Sequence, residues 1–436
     1  MAPTGRKVTQ NSMKKTSAQK LNIIMLSMQT FADFHNGIVN RNSFVLKNLL
    51  QHPAVNKILA VDYLHWRGKR LIKDYFQGVL SPKYAVQNLL RTPYSRACRV
   101  ASPMLSSKAA DKLFVYSTIN QTRRGDGLLY EMSQLMEKLH MRENIVVWSY
   151  NPLFVDYFHA FGQTLNVFDT VDNWMTHSSH RNQQKLLERN YRKIAQKSDI
   201  IFTVSETLCE FYKSIGRNTD VHYIPNGVDL ALFVNAPLAS PYRLFFEKLK
   251  RPVLGYLGSI TEDRVNIELL HEIAKKNQDK SLVLAGPVWR ELAPKIRSAF
   301  SRFSNVHFLG RIAYSQAAAV MNQFDLCLNP HHLNAFIRFT DPMKLYEYLA
   351  LGKPVVSVAS AGLEKFSKHV ELATSFEDFH AKIQTGLKNN TLKQVNERKK
   401  FAKAHTYAKR ADTMLDLIFE KMALESSSWE YEVWKS

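Results

Sequence analysis

Short apolar runs separated by polar stretches of helical pattern recur along most of this chain. The first, LNIIMLSM at 21–28, is continuous rather than alternating. A strand buried on both faces of a parallel sheet reads this way. After it, residues 33–42 read as a loop and 43–50 as a helix, and NKILAVDYL (56–64) reads as a second strand. KLFVYSTI (112–119), NIVVWSYNP (144–152), TLNVFDTVDNW (164–174), SDIIFTVSETL (198–208) and DVHYIPNGVD (220–229) continue the series. Helical patterns separate several of them, at 128–139 and 180–196. Strand and helix in alternation predict an α/β protein with a doubly wound parallel sheet.

The pattern then restarts. RPVLGYLGSI (251–260), KSLVLAGP (280–287), NVHFLGRI (305–312), DLCLNPHH (325–332) and KPVVSV (353–358) are five more apolar runs, with helical patterns at 267–276 and 342–351. Two Rossmann-like sheets in succession, facing a central cleft, are the expected architecture. The expected boundaries are a disordered basic tail at 1–20, a first domain at 21–230, a second at 231–405, and a helical segment at 406–436 that packs back on the first domain. Residues 230–250, with two prolines and no strand pattern, read as the linker. In the last segment Met414, Leu415, Leu417, Ile418 and Met422 fall on one helical face.

Charge adds a partner to this outline. The 436 residues carry a net charge of +21, and residues 1–120 hold 18 Lys/Arg against 4 Asp/Glu. A field this lopsided favours an anionic partner. Within 65–110, His65, Trp66, Tyr75, Phe76, Tyr84 and Tyr94 interleave with Arg67, Lys69, Arg70, Lys73, Lys83, Arg91, Arg96 and Arg99. An anionic membrane surface, a phosphorylated lipid acceptor or a nucleic acid would all suit. No stretch reaches the ~20 apolar residues of a membrane span, and the N-terminus lacks the apolar core of a signal peptide. Cys98, Cys209 and Cys327 are odd in number and far apart, which fits a reducing compartment. A cytoplasmic protein, peripheral at the inner face of the cell membrane, is expected.

In open α/β sheets ligands bind beyond the carboxyl ends of the strands. The richest such stretch is DPMKLYEYLALGKPVVSV (341–358). Asp341 reads as an N-cap and Pro342 as the first helical residue. A helix N-terminus offers unpaired N–H groups to a diphosphate, Lys344 adds charge, and Glu347 can accept from ribose hydroxyls. EYLALGKPVV resembles the signature of family 4-type glycosyltransferases, which pairs a Glu with a short apolar helix and Gly-x-Pro-Val. The resemblance implies the two-domain GT-B fold, a hexosyltransferase activity and ribose binding by Glu347. The family's second Glu lies eight residues earlier, where this chain has Phe339. Asp341 is the candidate to replace it, and TDPMKLYEYLA resembles a bacterial polysaccharide-type subgroup lacking that first Glu.

Other segments share the resemblance. YIPNGVDLALF (223–233) is similar to the family's interdomain segment, and LGYLGSI (254–260) to its glycine loop, where Gly255 and Gly258 would let phosphate approach the backbone. The family's Arg directly after the loop glycine is replaced by Ser259, leaving Arg264 or Lys344 to meet the diphosphate. FLGRI (308–312) resembles the strand whose loop packs the base, which makes Arg311 a candidate contact. His331 and Asn334, after the run ending NPHH, are candidates for the sugar pocket. The resemblance implies an NDP-sugar donor, UDP- or GDP-linked, with no bound cofactor and no metal.

On the acceptor side, FDTVDNW (168–174) places Asp169 and Asp172 at a strand end. One of them, Asp172 by preference, is a candidate general base for an acceptor hydroxyl; His177 is the alternative. His35, Gly37 and Arg41, after the first strand, are candidates for acceptor contact. A lipid-linked or saccharide acceptor is expected, and no specific nucleic acid. A GT-B-fold NDP-sugar epimerase and a non-enzymatic nucleic-acid binder are the alternatives, the latter resting on charge alone because no recognition motif is present.

Overall fold

A computed structural model of the chain describes residues 20–64, 68–119, 126–233 and 237–433. The expected tail up to residue 19, and His65, Trp66 and Arg67 of the basic stretch, lie outside the described residues. Nine strands form the first sheet: β1 (Leu21–Leu26), β2 (Val55–Tyr63), β3 (Ala85–Arg91), β4 (Ser95–Val100), β5 (Leu113–Thr118), β6 (Ile145–Ser149), β7 (Leu165–Thr170), β8 (Ile200–Thr203) and β9 (Val221–Tyr223). Their order is β3-β4-β5-β2-β1-β6-β7-β8-β9. β1 runs parallel to both β2 and β6, with Ile24 opposite Leu59 and Val147. All six β1 residues are buried, as the unbroken apolar run requires.

β3 and β4 are an antiparallel hairpin added to β5. This is the part of 65–110 that sequence pattern leaves unassigned, because Gln87 and Asn88 break the apolar pattern of β3 and Arg96 and Arg99 that of β4. The hairpin follows a helix at Gly68–Tyr75 and a π-helical turn at Phe76–Leu80.

The second sheet has β10 (Val253–Leu257), β11 (Ser281–Ala285), β12 (Val306–Gly310), β13 (Leu326–Asn329), β14 (Val355–Val358) and β15 (Glu371–Ala373), all parallel, in the order β12-β11-β10-β13-β14-β15. β15 is three residues long, too short to leave a periodic signal. Core packs on both faces. Leu254, Tyr256 and Leu284 point to one side with Ile273 and Phe379. Val253 and Val283 point to the other with Phe324, Tyr348 and Leu349. Gly255 is glycine for packing: a Cβ there would lie 2.0 Å from the Phe324 ring.

The residues fall into two compact units. The first takes in the described residues up to Asn36, Leu46–Phe168 and Lys197–Ile200; the second takes in Gly37–Val45, Asp169–Gln196 and the described residues from Ile201. This division departs from boundaries at 230/231 and 405/406. Buried polar bonds account for much of it. Asn226 donates from its backbone N–H to Asp341 Oδ2 at 2.7 Å and from its side chain to Asp341 O at 2.7 Å. It accepts from Arg41 Nη1 at 3.3 Å. The expected linker also differs: Ser240–Phe246 is a helix whose Phe246 is buried against Phe324. The last helix, Tyr407–Val433, buries Met414, Leu415 and Ile418. Its Lys421 pairs with Asp220 at 3.1 Å, and Arg410 donates to Asn226 O at 3.4 Å.

Candidate functional site

β10 lies between β11 and β13, so the connections leave it in opposite directions and open a crevice at their carboxyl ends. The loops there are drawn tightly together. Gly258 N–H donates to Ala285 O at 2.9 Å, and Gly286 N–H to Gly310 O at 2.7 Å. Gly286 has φ +139°, and a Cβ on it would stand 2.0 Å from Gly258 O. Gly258, at φ +154°, faces the Lys344 side chain, where a Cβ would meet Lys344 Cε at 3.2 Å. The Gly258 N–H is thus already used within the fold. What this glycine provides is room beside the Lys344 side chain.

The helix Met343–Ala350 opens into the same crevice. Its N-cap is Pro342, with no side-chain cap bond. Asp341 is not the cap. Its Oδ2 accepts from Asn226 N–H and from Tyr346 OH at 3.0 Å, and its Oδ1 pairs with Lys365 at 2.8 Å. With that side chain 1% exposed, Asp341 is a buried anchor rather than a substitute for the absent Glu.

Lys344, in the first turn, lies over the Tyr256 ring at 5.2 Å and donates to His331 Nε2 at 3.3 Å. Burial, then the nearby Arg264, push its ammonium down to about 7, while Glu347 acts the other way. Burial and the charges of Lys344 and Arg264 hold His331 well below the ordinary histidine value. The imidazole is therefore the neutral partner that accepts the Lys344 proton. Arg264 stacks its guanidinium on Phe336 at 4.9 Å and stands 3.6 Å from Asp172. Lys344, Arg264 and His331 thus crowd one another at the opening of this helix.

Glu347 sits one turn deeper, 6% exposed, and accepts from Tyr314 OH at 2.7 Å. Burial raises its carboxyl, opposed by the Tyr314 bond and by Lys344. Tyr314 and Tyr256 are site residues that sequence reading missed. An aromatic residue in or beside an apolar run reads as core, and no sequence signal separates the two uses.

The remaining candidates divide. Asp172 lies by Arg264 and is half-buried, its carboxyl raised by burial and lowered by Arg264. His177 Nδ1 accepts from Ser179 N–H at 3.1 Å and lies 3.7 Å from Asp263, which also accepts from the Ser178 hydroxyl. Burial lowers the His177 value. Asp169 is corrected as a candidate base: both its oxygens accept from Arg41 Nε at 3.0 Å, and both side chains are fully buried. Arg41 is likewise corrected as an acceptor contact, since its guanidinium is inside the protein.

Asn334 is engaged locally, donating to Asp263 O at 2.8 Å and accepting from Ile337 N–H at 2.9 Å. Arg311 is exposed just after β12. Gly37, at φ +74°, packs on Tyr314, 3.7 Å from where its Cβ would be. His35 ends the short helix Phe31–His35 in the first unit, beside Tyr84. Among the described residues no group of three His, Cys, Asp or Glu is placed to hold a metal ion.

Residues 264–416 match the family described as Glycosyl transferase-like. A Bacillus subtilis (strain 168) protein, TuaH, named as a glycosyltransferase of teichuronic acid biosynthesis, is 26% identical over 210 residues. That match covers 46% of this chain and 52% of TuaH, so the chain spans about half the length of this curated relative. Among solved structures, Anabaena HepE in complex with UDP and glucose superposes with a TM-score of 0.64 at 12% identity, over 92% of this chain and 100% of that one. Sucrose-phosphate synthase from Thermosynechococcus elongatus gives 0.59 at 13%, over 95% and 100%. The E. coli trehalose-6-phosphate structure with bound UDP-2-fluoro glucose gives 0.62 at 10%, over 91% and 99%. Taken with the two sheets and the crevice at β10, the solved structures give the chain the GT-B fold, and its residues 264–416 are similar to glycosyltransferases.

Proposed function

We propose that this chain transfers a sugar from a nucleoside-diphosphate sugar to an acceptor hydroxyl during polysaccharide assembly. The observation that carries the reading is the crowding of Lys344, Arg264 and His331 at the N-terminus of helix Met343–Ala350. Two basic side chains, Lys344 and Arg264, brought together at a helix N-terminus fit a ligand that carries negative charge. The diphosphate takes that position, and Glu347 accepts from the ribose one turn deeper. In the transfer, the acceptor oxygen attacks the anomeric carbon and the bond from that carbon to the β-phosphate oxygen breaks. The nucleoside diphosphate departs with the bonding pair, stabilised by Lys344 and Arg264. The acceptor's proton goes to Asp172. The complexes of HepE and of the trehalose-6-phosphate protein with UDP or UDP-sugar, and the name of TuaH, support this reading.

The finer part of the proposal places this work at an anionic membrane surface on the cytoplasmic side. Ile72, Phe76, Leu80 and Tyr94 are exposed by 46–72%, beside exposed Arg70, Lys73, Lys83 and Arg91. The one acid between residues 68 and 94, Asp74, is buried. No described helix is long and apolar enough to cross a membrane. A thermal-shift panel of UDP-, GDP- and dTDP-sugars tests the core claim, since a ligand that binds only the native state raises the melting temperature. One nucleotide series should stabilise the protein, and Glu347→Ala should remove the shift. A shift retained in that variant would refute the ribose assignment.

A further inference from the structure

Beside the candidate donor site the second unit carries a run of aromatic rings that the proposed donor chemistry does not use. Trp289 follows β11 and is 42% exposed. Its ring centroid lies 6.3 Å from His177, His177 lies 5.8 Å from His180, and His180 stacks on Trp174 at 4.5 Å with an interplanar angle of 10°. Phe336, under the Arg264 guanidinium, meets His177 edge-on at 4.8 Å. Four rings therefore form a strip, Trp289–His177–His180–Trp174, that Phe336 joins to Arg264 through His177. A buried core would have closed over them, yet Trp289 is exposed and Trp174, His177 and His180 are only half-buried.

The polar groups along the strip are those that sugars use. The His177 Nδ1 accepts from the Ser179 backbone, so in the neutral ring the proton sits on Nε2 as a donor to a hydroxyl. Burial lowers His180 as well as His177, which keeps both rings uncharged at neutral pH. The hydroxyls of Ser178 and Ser179 flank them. Flat, partly wetted aromatic faces with neutral donors and acceptors at their edges match a pyranose, which has one C–H face and a rim of hydroxyls. They match a phosphate or a bare lipid chain poorly.

We infer that the strip Trp289–His177–His180–Trp174 is the acceptor subsite and that it holds the sugar units of a saccharide chain, stacked on the indole and imidazole faces. The inference rests on the proposed transferase reading and narrows its acceptor to a glycan. The unit nearest Arg264 and Asp172 presents the hydroxyl that is glycosylated.

Saturation-transfer NMR on the full chain with UDP present tests this, using methyl β-glucoside, methyl β-galactoside, methyl N-acetyl-β-glucosaminide and cellotetraose as probes. Saturation should reach the ring C–H protons of at least one probe. Trp289→Ala should weaken that binding about tenfold and Trp289→Phe should restore most of it, as a stacking contact would. The UDP thermal shift should be the same in all three proteins. Three outcomes overturn the inference. If no probe binds a wild-type protein that UDP stabilises, the donor site stands and the glycan subsite falls. If Trp289→Ala abolishes the UDP shift, the indole belongs to the nucleobase. If no nucleotide or nucleotide sugar shifts the wild type, the transferase reading fails and the inference falls with it.

Discussion

The depressed Lys344 ammonium makes donor binding a proton-linked event. In the free protein it titrates at about 7, because burial and then Arg264 disfavour its charge. A diphosphate laid against it reverses both effects and moves it back towards the ordinary lysine range near 10.4. At pH 6 roughly nine-tenths of free molecules already carry the proton, and at pH 8 roughly one-tenth do. Binding at pH 8 must therefore take up about one proton, and affinity should fall about tenfold from pH 6 to pH 8. A further tenfold loss per pH unit should follow until the bound value is reached. A nucleotide sugar such as UDP-glucose is the right probe, since free UDP has a terminal phosphate that titrates near 6. Titration calorimetry in two buffers of different ionisation enthalpy reads the proton uptake directly. Lys344→Arg should bind with a nearly flat pH profile, its guanidinium staying charged throughout. Lys344→Met should bind weakly at every pH. A flat wild-type profile, or proton release on binding, would refute the placement of the diphosphate at Lys344. The same linkage gives a sign for the free protein: the folded value lies below the unfolded one, so stability rises with pH between about 7 and 10.5.

Arg41→Met should cost about 3–5 kcal/mol in urea unfolding, because it leaves Asp169 charged and buried without its guanidinium. A loss below about 1 kcal/mol would mean that Asp169 finds another partner. Asp172→Asn should lower kcat by roughly 10²–10⁴ with the nucleotide thermal shift kept; an unchanged kcat would refute Asp172 as the base. Gly286→Ala should lower the melting temperature and weaken nucleotide-sugar binding together, since its Cβ would meet Gly258 O at 2.0 Å; a variant with native stability and affinity would show that the two loops can part freely. Replacing Lys73, Lys83 and Arg91 by Gln should reduce binding to anionic vesicles about 100-fold, at about 1 kcal/mol for each cation. Equal binding by the triple variant in co-sedimentation would remove the membrane from the proposal.

The parts of this structure that sequence showed are those encoded locally. The helix after Pro342, its end at Gly352 and the glycine loop after β10 each carry their signal within about ten residues, and Glu347 could be placed a turn inside before any coordinate was known. The roles of the carboxylates could not. Asp169 and Asp172 are three residues apart in one strand-end motif. What separates them is Arg41, 128 residues from Asp169, which takes both oxygens of one and leaves the other beside Arg264. Asp341 was misplaced for the same reason: its neighbours in sequence suggest a cap, while its partners Asn226 and Lys365 lie far along the chain. Trp289 escaped notice because an isolated tryptophan carries no pattern. Only its distance to His177 gives it a context.

Asn226 is followed by Gly227, the pairing in which an asparagine most readily cyclises to succinimide and ages to aspartate, because glycine does not shield the attacking backbone nitrogen. In the folded protein the amide is immobilised, its nitrogen donating to Asp341 O at 2.7 Å and its oxygen held by Arg41 and Tyr407. Ageing at this position therefore belongs to time spent unfolded. A new carboxylate here would face Asp341 across 2.7 Å, so each chain that lingers in the denatured state at alkaline pH should lose its capacity to refold, and a one-dalton mass increase at residue 226 should mark the molecules that did.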